Sequence, residues 1–259
     1  MKERKHILVT VKTYPQPSEK YHETVCTAGV CKDGSLIRIY PFPFRTLKEF
    51  ERFKKYQWIE VDVERNTVDP RPESFKAFPS TLKLGELISS KKWDQRLHAI
   101  LKSNPIRNTC DLMNEYGKNI SLSIVKPKKI IDFIYEEDSP NWNPKQENAM
   151  KALWLDRPAI SLEKIPWRFK FKYLCNDPKC KGHSQTIEDW EVFQLFRKMK
   201  YTHGDERIAL NKVRNQYLNN LCSPKRDPHF FVGMHNLHRV WMIIGFFSPP
   251  KRDRQLQLL

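Results

Sequence analysis

Hydrophobic and polar positions alternate from the start of the chain. Residues 6–14 read His-Ile-Leu-Val-Thr-Val-Lys-Thr-Tyr, with Leu8, Thr10, Lys12 and Tyr14 on one side and Ile7, Val9 and Val11 on the other. Period-2, β-branched composition of this kind predicts a strand. Pro15 and Pro17 stop it. A second strand is expected over 23–30, then a tight turn at Lys32-Asp33-Gly34 and a third strand over 36–40, the last two forming a hairpin. Residues 47–56 carry an amphipathic helical spacing, and 57–64 alternate apolar with acidic positions as a half-buried strand does.

Pro70, Pro72 and Pro79 mark a connector. Beyond it, 84–102 reads as mostly helical, and Thr109-Cys110-Asp111-Leu112 opens a short helix ended by Gly117. Strands over 120–125 and 129–135 are expected to return to the first sheet. In the second half, Phe169, Phe171 and Tyr173 alternate with Arg168, Lys170 and Lys172, giving a strand with one aromatic and one basic face. Thr186 with Asp189 three residues on resembles a capping box, and Val192, Leu195, Phe196 and Met199 recur at helical spacing behind it. Leu210, Val213, Tyr217 and Leu221 mark another helix, and two strands, 229–233 and 240–247, follow. The fold class is α+β: an N-terminal small β-barrel or curved sheet with added helices (1–135), a linker (136–161), a C-terminal zinc-containing α+β unit (162–250) and a basic tail (251–259).

Composition bears on the partner. A chain of 259 residues supports one large or two ordinary domains, and 12% aromatic content supplies core volume that 39% hydrophobic content alone would leave thin. Forty-six Lys and Arg against thirty Asp and Glu give a net charge of +16, which favours a polyanion: DNA or RNA first, a larger protein or ribonucleoprotein assembly second. No apolar run reaches the length of a signal peptide or a membrane span, so the expected setting is cytoplasmic, without a membrane partner. Six cysteines in such a setting are thiols or metal ligands.

Two stretches carry candidate chemistry. Cys175 and Cys180 flank the turn-forming Asn-Asp-Pro-Lys, and Gly182 bends the chain to bring up His183. Thiolate and imidazole donors so placed suit a tetrahedral Zn²⁺, with Cys222 as the expected fourth arm. The second stretch interleaves rings with guanidiniums: Arg38, Tyr40, Phe42, Phe44 and Arg45, joined on the first strand by Lys12 and Tyr14. Cations for phosphates and rings for bases are what a single-strand binder needs. The alternative is that Phe42 and Phe44 plug the end of a barrel.

Asp189 and Glu191 beside the metal loop admit an enzymatic reading, a metal-dependent nuclease or base-modifying hydrolase, although acids there also suit a helix N-terminus. Asp62, Asp69 and Glu73 match no nuclease spacing, and each of His203, His229, His235 and His238 alone is more often a surface or hydrogen-bonded histidine than a ligand. No phosphate-binding glycine loop or nucleophile elbow occurs.

The run Cys-Asn-Asp-Pro-Lys-Cys-Lys-Gly-His with Ile-Glu-Asp-Trp-Glu behind it resembles an uncharacterised group of bacterial proteins, as do the ending Phe-Phe-Val-Gly with Trp-Met-Ile-Ile-Gly-Phe and the opening Cys-Thr-Ala-Gly-Val with Arg-Ile-Tyr-Pro-Phe-Pro-Phe-Arg. The resemblance implies no activity. The expected function is that of a zinc-stabilised nucleic-acid-binding protein, with bacterial defence or a mobile element as its expected context.

Overall fold

Five strands near the N-terminus close on themselves. In the computed structural model, which describes residues 1–20, 22–115, 120–153, 162–235 and 238–251, the chain opens with β1 (Lys2–Lys12), β2 (Gln16–Ser18), β3 (His22–Cys31) and β4 (Leu36–Phe42). β5 (Gln57–Arg65), β6 (Ser74–Ala77) and β7 (Lys83–Leu87) follow. Hydrogen bonding runs β1-β3-β4-β6-β5, and β5 pairs back with β1. Every neighbouring pair is antiparallel except β4 with β6. This is the strand order of an oligonucleotide/oligosaccharide-binding barrel, a fold that leaves function to be argued from its sites.

Strand alternation explains the barrel's two packing faces. Ile7, Val9, Val25, Ile37, Ile39, Ile59, Val61 and Val63 fill the interior. Leu8, Ala28 and Val30 point outward but are also buried, against Leu122, Ile124, Phe231 and Ile244. β1 is apolar on both faces because both are covered. The pairing of β1 with β3 skips a residue between Val9 and Val11, and this bulge at Thr10 reverses the alternation, placing Val11 in the outer cluster. Gly29 is required opposite: a Cβ there would sit 2.2 Å from the Leu8 carbonyl oxygen.

The stretch expected as a helix over 47–56 forms a short 3₁₀ turn at Glu49–Glu51, just after another at Phe44–Thr46. Its Leu47 and Phe53 pack with Phe42 and Phe44 and close the end of the barrel. The 84–102 stretch divides into β7 and the helix α1 (Trp93–Leu101).

The remainder builds on two further sheets. β8 (Ile106–Arg107), α2 (Thr109–Asn114), β9 (Leu122–Val125), β10 (Lys129–Glu137) and α3 (Pro144–Leu153) lead to β11 (Trp167–Leu174) and β12 (His183–Thr186). α4 (Trp190–His203), α5 (Glu206–Arg214), β13 (His229–Met234) and β14 (Trp241–Phe247) complete the chain. The sheet orders are β10-β11-β12 and β14-β13-β9-β8. The strands expected to rejoin the first sheet therefore pair instead with later ones: their apolar faces meet the aromatic face of β11 and the wholly buried β13. Phe133, Phe169, Phe171, Tyr173, Phe230 and Phe246 form the centre of this second core.

α4 begins at Trp190, not beside Thr186, because Thr186 is still paired with Lys170 in the sheet. Gly117, the 154–161 part of the expected linker and residues 252–259 of the expected tail lie outside the described residues. No helix among the described residues is long and apolar enough to cross a membrane.

Candidate metal centre and its lysine border

Three donor side chains come from one hairpin. β11 delivers its last residues to the loop, where the Asp177 carboxylate accepts a hydrogen bond from the Lys179 amide at 2.7 Å and the Asp177 carbonyl accepts one from the Cys180 amide at 3.1 Å. This local turn brings Cys180 back beside Cys175. Gly182, at φ +102°, makes the reverse bend that a side chain would resist, and His183 emerges opposite Tyr173 as β12 begins.

The fourth donor is Cys110, in the first turn of α2. The Cys110 and Cys175 sulfurs are 3.6 Å apart; His183 Nε2 lies 3.5 Å from Cys110 Sγ and 3.3 Å from Cys180 Sγ. All four donor atoms fall within 4.8 Å of one another, a group that could hold a metal ion. Cys175 is buried and the other three are half-buried.

The surroundings fix these donors. Tyr173 packs its ring 5.3 Å from that of His183 and donates its hydroxyl proton to Gln185, so Thr109, 2.7 Å away, donates to the tyrosine oxygen. Gln185 in turn donates to the Trp241 carbonyl at 3.1 Å. Thr109 precedes Cys110, so this chain ties the helix that carries the fourth donor to the hairpin that carries the other three. Electrostatics differ among the sulfurs. Burial, reinforced by the neighbouring thiols, pushes the Cys110 thiol up. Burial also opposes ionisation of Cys180, but hydrogen bonds from the Cys175 and Gly182 amides outweigh it and hold that thiol below its usual range. Desolvation likewise lowers His183, keeping its imidazole neutral and able to donate a lone pair.

The structure thus brings together Cys175, Cys180 and His183 but replaces Cys222 with Cys110. α5 runs on into a π-helical turn, Asn215–Asn220, that leaves Cys222 against the apolar core, where burial pushes its thiol up to about 12. Cys110 stands 65 residues before Cys175, too far for spacing to reveal. Its signal was a cysteine in the opening turn of a short helix.

The residues expected to grip nucleic acid are mostly interior. Phe42 and Phe44 plug the barrel, and Tyr14 packs on Phe193 at 4.8 Å. Past the bulge at Thr10, Lys12 turns toward the barrel end, its ammonium 4.2 Å from the Phe44 ring centroid. Arg38 does point outward, but β9 and β13 cover it: it is 1% exposed and donates to Ser121 Oγ at 2.6 Å and to the Ser121 carbonyl at 2.9 Å. Tyr40 is half-buried, with the Arg71 guanidinium 5.5 Å from its ring, and Arg45 pairs with Glu23 at 3.1 Å. These side chains do not form one open surface.

Exposed lysines gather elsewhere. Lys128 donates its amide to the Leu174 carbonyl and Lys129 pairs with Leu174, which places both beside Cys175; Lys179 and Lys181 flank Cys180. All four are exposed, and none forms an ion pair among the described residues. The nearby Asp132 is already held by Arg214 at 2.7 Å.

Neither acid behind the loop is placed for chemistry at the metal group. Asp189 caps α4 by accepting from the Glu191 amide, and both carboxylates bind Lys55. Asp69 is held by Arg71 and Ser74, Glu73 by the Ser121 and Leu122 amides, and Asp62 by Lys2 and Arg4. His229 is buried and hydrogen-bonded to the Asp227 carbonyl, and His235 stacks on His238.

Residues 3–102 match the family described as Domain of unknown function (DUF8758), and residues 106–259 match that described as Domain of unknown function (DUF8757). No curated protein matches the chain. Among solved structures, a Replication Protein A heterotrimer bound to ssDNA is similar at 11% identity and a TM-score of 0.29, over 99% of this chain and 67% of that one, a likeness too slight to argue from.

Proposed function

The chain belongs to the family whose domain of unknown function (DUF8757) spans residues 106–259, a membership that names no activity, and we propose from its own residues that it is a zinc-stabilised nucleic-acid-binding protein. The carrying observation is that four exposed lysines, Lys128, Lys129, Lys179 and Lys181, which form no ion pair with any described residue, border the Cys/His group on a chain of net charge +16. Exposed lysines beside a turn-bound loop offer phosphates a charged surface at little ordering cost, and each phosphate they neutralise releases counterions.

Zinc fits the donors. Tetrahedral geometry with Zn–S near 2.3 Å and Zn–N near 2.0–2.1 Å requires sulfurs about 3.8 Å apart and sulfur–nitrogen separations of about 3.6 Å. The Cys110–Cys175 sulfur separation of 3.6 Å and the distances of 3.5 Å and 3.3 Å from His183 Nε2 to the Cys110 and Cys180 sulfurs lie close to these, and all four donor atoms fall within 4.8 Å of one another. Four protein donors close the coordination sphere, so the ion is structural. It fastens α2 to the β11–β12 hairpin and holds the lysine-bearing loop rigid. Thiolate donors also suit a reducing, cytoplasmic setting.

The test is fluorescence anisotropy with labelled single- and double-stranded DNA and RNA at several salt concentrations. Changing Lys128, Lys129, Lys179 and Lys181 together to Gln should weaken binding to every sequence and flatten the salt slope by roughly one for each phosphate no longer neutralised. Binding weaker than about 10 µM at low salt for all four ligands, or an unchanged slope in the variant, would assign the basic surface to a protein partner.

A further inference from the structure

A cavity of about 350 Å³ lies where the end of β1, the 138–146 segment, the start of β11 and the start of α4 meet. Its volume falls within the range of small-molecule sites, roughly 300–1,000 Å³. Four rings line it: Tyr14, Trp142, Trp167 and Phe193. The polar tips of three are engaged elsewhere, Trp142 Nε1 on the Leu162 carbonyl at 3.0 Å, the Tyr14 hydroxyl on the Glu163 carbonyl at 2.7 Å and Trp167 Nε1 on Glu206 at 3.3 Å. They therefore serve the cavity as apolar walls.

One carboxylate in the lining has no such engagement. The Glu188 backbone is pinned on both sides, its amide donating to the Ile243 carbonyl at 2.8 Å and its carbonyl accepting from the Tyr14 amide at 2.9 Å. Its carboxylate forms no hydrogen bond or ion pair with any described residue. The two cations of the lining are instead taken by Asp138, Lys164 at 2.6 Å and Arg168 at 3.4 Å. The Glu188 side chain is half-buried, so its carboxylate keeps only part of its hydration beside the rings, and a ligand with two donors can take the place of that water. Burial pushes the carboxyl up to about 7, against the pull of Lys164.

We propose that this cavity receives a guanine base, stacked among the rings, with the Glu188 carboxylate accepting its N1–H and N2–H together. The inference rests on the nucleic-acid reading and names the base class that it takes. Guanine alone among the common bases offers two adjacent N–H donors on one edge. Uracil flanks its single N–H with carbonyl oxygens that repel a carboxylate, and cytosine and adenine set an acceptor beside their amino groups. A cationic ligand is disfavoured because the Lys164 ammonium already lies 5.4 Å from the Trp142 ring centroid. Aromatic stacking with hydrogen bonds to the base edge is how unpaired bases are read.

The test uses the full chain and isothermal titration with guanosine, adenosine, cytidine and uridine. Separate arms use guanosine monophosphate and oligouridine strands with and without one central guanosine, which distinguish a free nucleotide from a base in a strand. Guanosine should bind at least tenfold more tightly than the other nucleosides, and Glu188→Gln should remove that preference while leaving all-uridine strand binding unchanged. Guanosine affinity of the unmodified protein should fall as pH drops below about 7, a readout that survives even if the variant does not fold. No guanosine heat at millimolar concentration, equal affinity for all four nucleosides, or a preference kept in Glu188→Gln overturns the proposal. Strand binding without guanosine binding overturns the cavity assignment and leaves the phosphate reading standing. Guanosine binding without strand binding does the reverse.

Discussion

Lys55 Nζ and Asp189 Oδ2 lie 3.2 Å apart across 134 residues of chain, and their side chains are 10% and 2% exposed. Lys55 enters β5 from the barrel end, whereas Asp189 caps α4, so the pair joins the barrel to the second core. Glu191 at 2.7 Å and the Phe246 carbonyl at 2.8 Å complete the ammonium's partners, and the Phe246 amide donates to Asp189 at 2.9 Å. Desolvation works against the ammonium, but Asp189 and Glu191 outweigh it and hold Lys55 well above its ordinary range.

Removing Lys55 would strand a buried carboxylate. Lys55→Met should destabilise the protein by roughly 3–5 kcal/mol in urea denaturation. Adding Asp189→Asn should recover part of that loss, because the desolvated charge goes with it. A double variant whose cost equals the sum of the single ones would show that the pair is not coupled.

Metal content separates the two candidate fourth ligands. Cys110→Ser should lose most of the bound zinc and lower the melting temperature, since metal-binding energy is folding energy. Cys222→Ser should keep about one equivalent of zinc. The opposite pattern would return Cys222 to the site, and chelator treatment should mimic Cys110→Ser in the unmodified protein.

The barrel was legible in the chain because its strands carry clean alternation and its turns carry Gly, Pro and Asp: β1, β3, β4 and β5 follow the pattern closely. Three of the four members of the Cys/His group were legible for a similar local reason, a turn and a glycine bend within nine residues. What escaped was non-local. A single bulge at Thr10 inverted the phase of Lys12, and β9 and β13 covered Arg38 from 83 residues away and more. Periodicity reports which side a residue takes, not what later packs there. Arg38 and Tyr40 accordingly read as a surface, although the first is core.

Arg38 supplies a prediction that tests this correction. Its guanidinium binds Ser121 twice, and Ser121 is also held by Glu73. Arg38→Ala should destabilise by roughly 2–4 kcal/mol through loss of charged hydrogen bonds. It should leave the salt dependence of nucleic-acid binding unchanged under conditions where the variant is folded. A flattened slope with unaltered stability would put the guanidinium on phosphate after all.

Gly29 tests the barrel closure. A Cβ there would meet the Leu8 carbonyl oxygen at 2.2 Å and Ile7 Cγ2 at 2.7 Å, and backbone cannot swing aside as a flexible side chain can. Gly29→Ala should cost about 1–3 kcal/mol or prevent folding, the usual outcome of overpacking. Gly204, with nothing within 4 Å but a φ of +66°, provides the control. Its Ala variant should lose only the smaller preference of a left-handed helix end, about 1 kcal/mol. Equal costs at the two positions, read from urea midpoints, would argue against the close approach of β1 and β3.

Lys12 makes stability depend on alkaline pH. Its ammonium sits over Phe44 at 4.2 Å, within 5.8 Å of Phe53 and 5.7 Å of Trp190, and donates to the Phe53 carbonyl at 3.4 Å. Desolvation dominates these contacts and lowers its pKa to about 8 from 10.5, although Glu191 pulls the other way. The unfolded chain then holds a proton over a range in which the folded chain has released it, so folding gains stability as pH rises from about 8 to 10.5. The gain approaches about 1.4 kcal/mol per pH unit within that window and vanishes on either side of it. Lys12→Met has no proton to lose. Urea denaturation of both proteins from pH 7 to 10 should show the unmodified chain closing on the variant as pH rises, with the tyrosines and thiols common to both cancelling in the difference. Parallel curves would mean that the folded ammonium keeps its proton, and that its ring contacts offset the lost water.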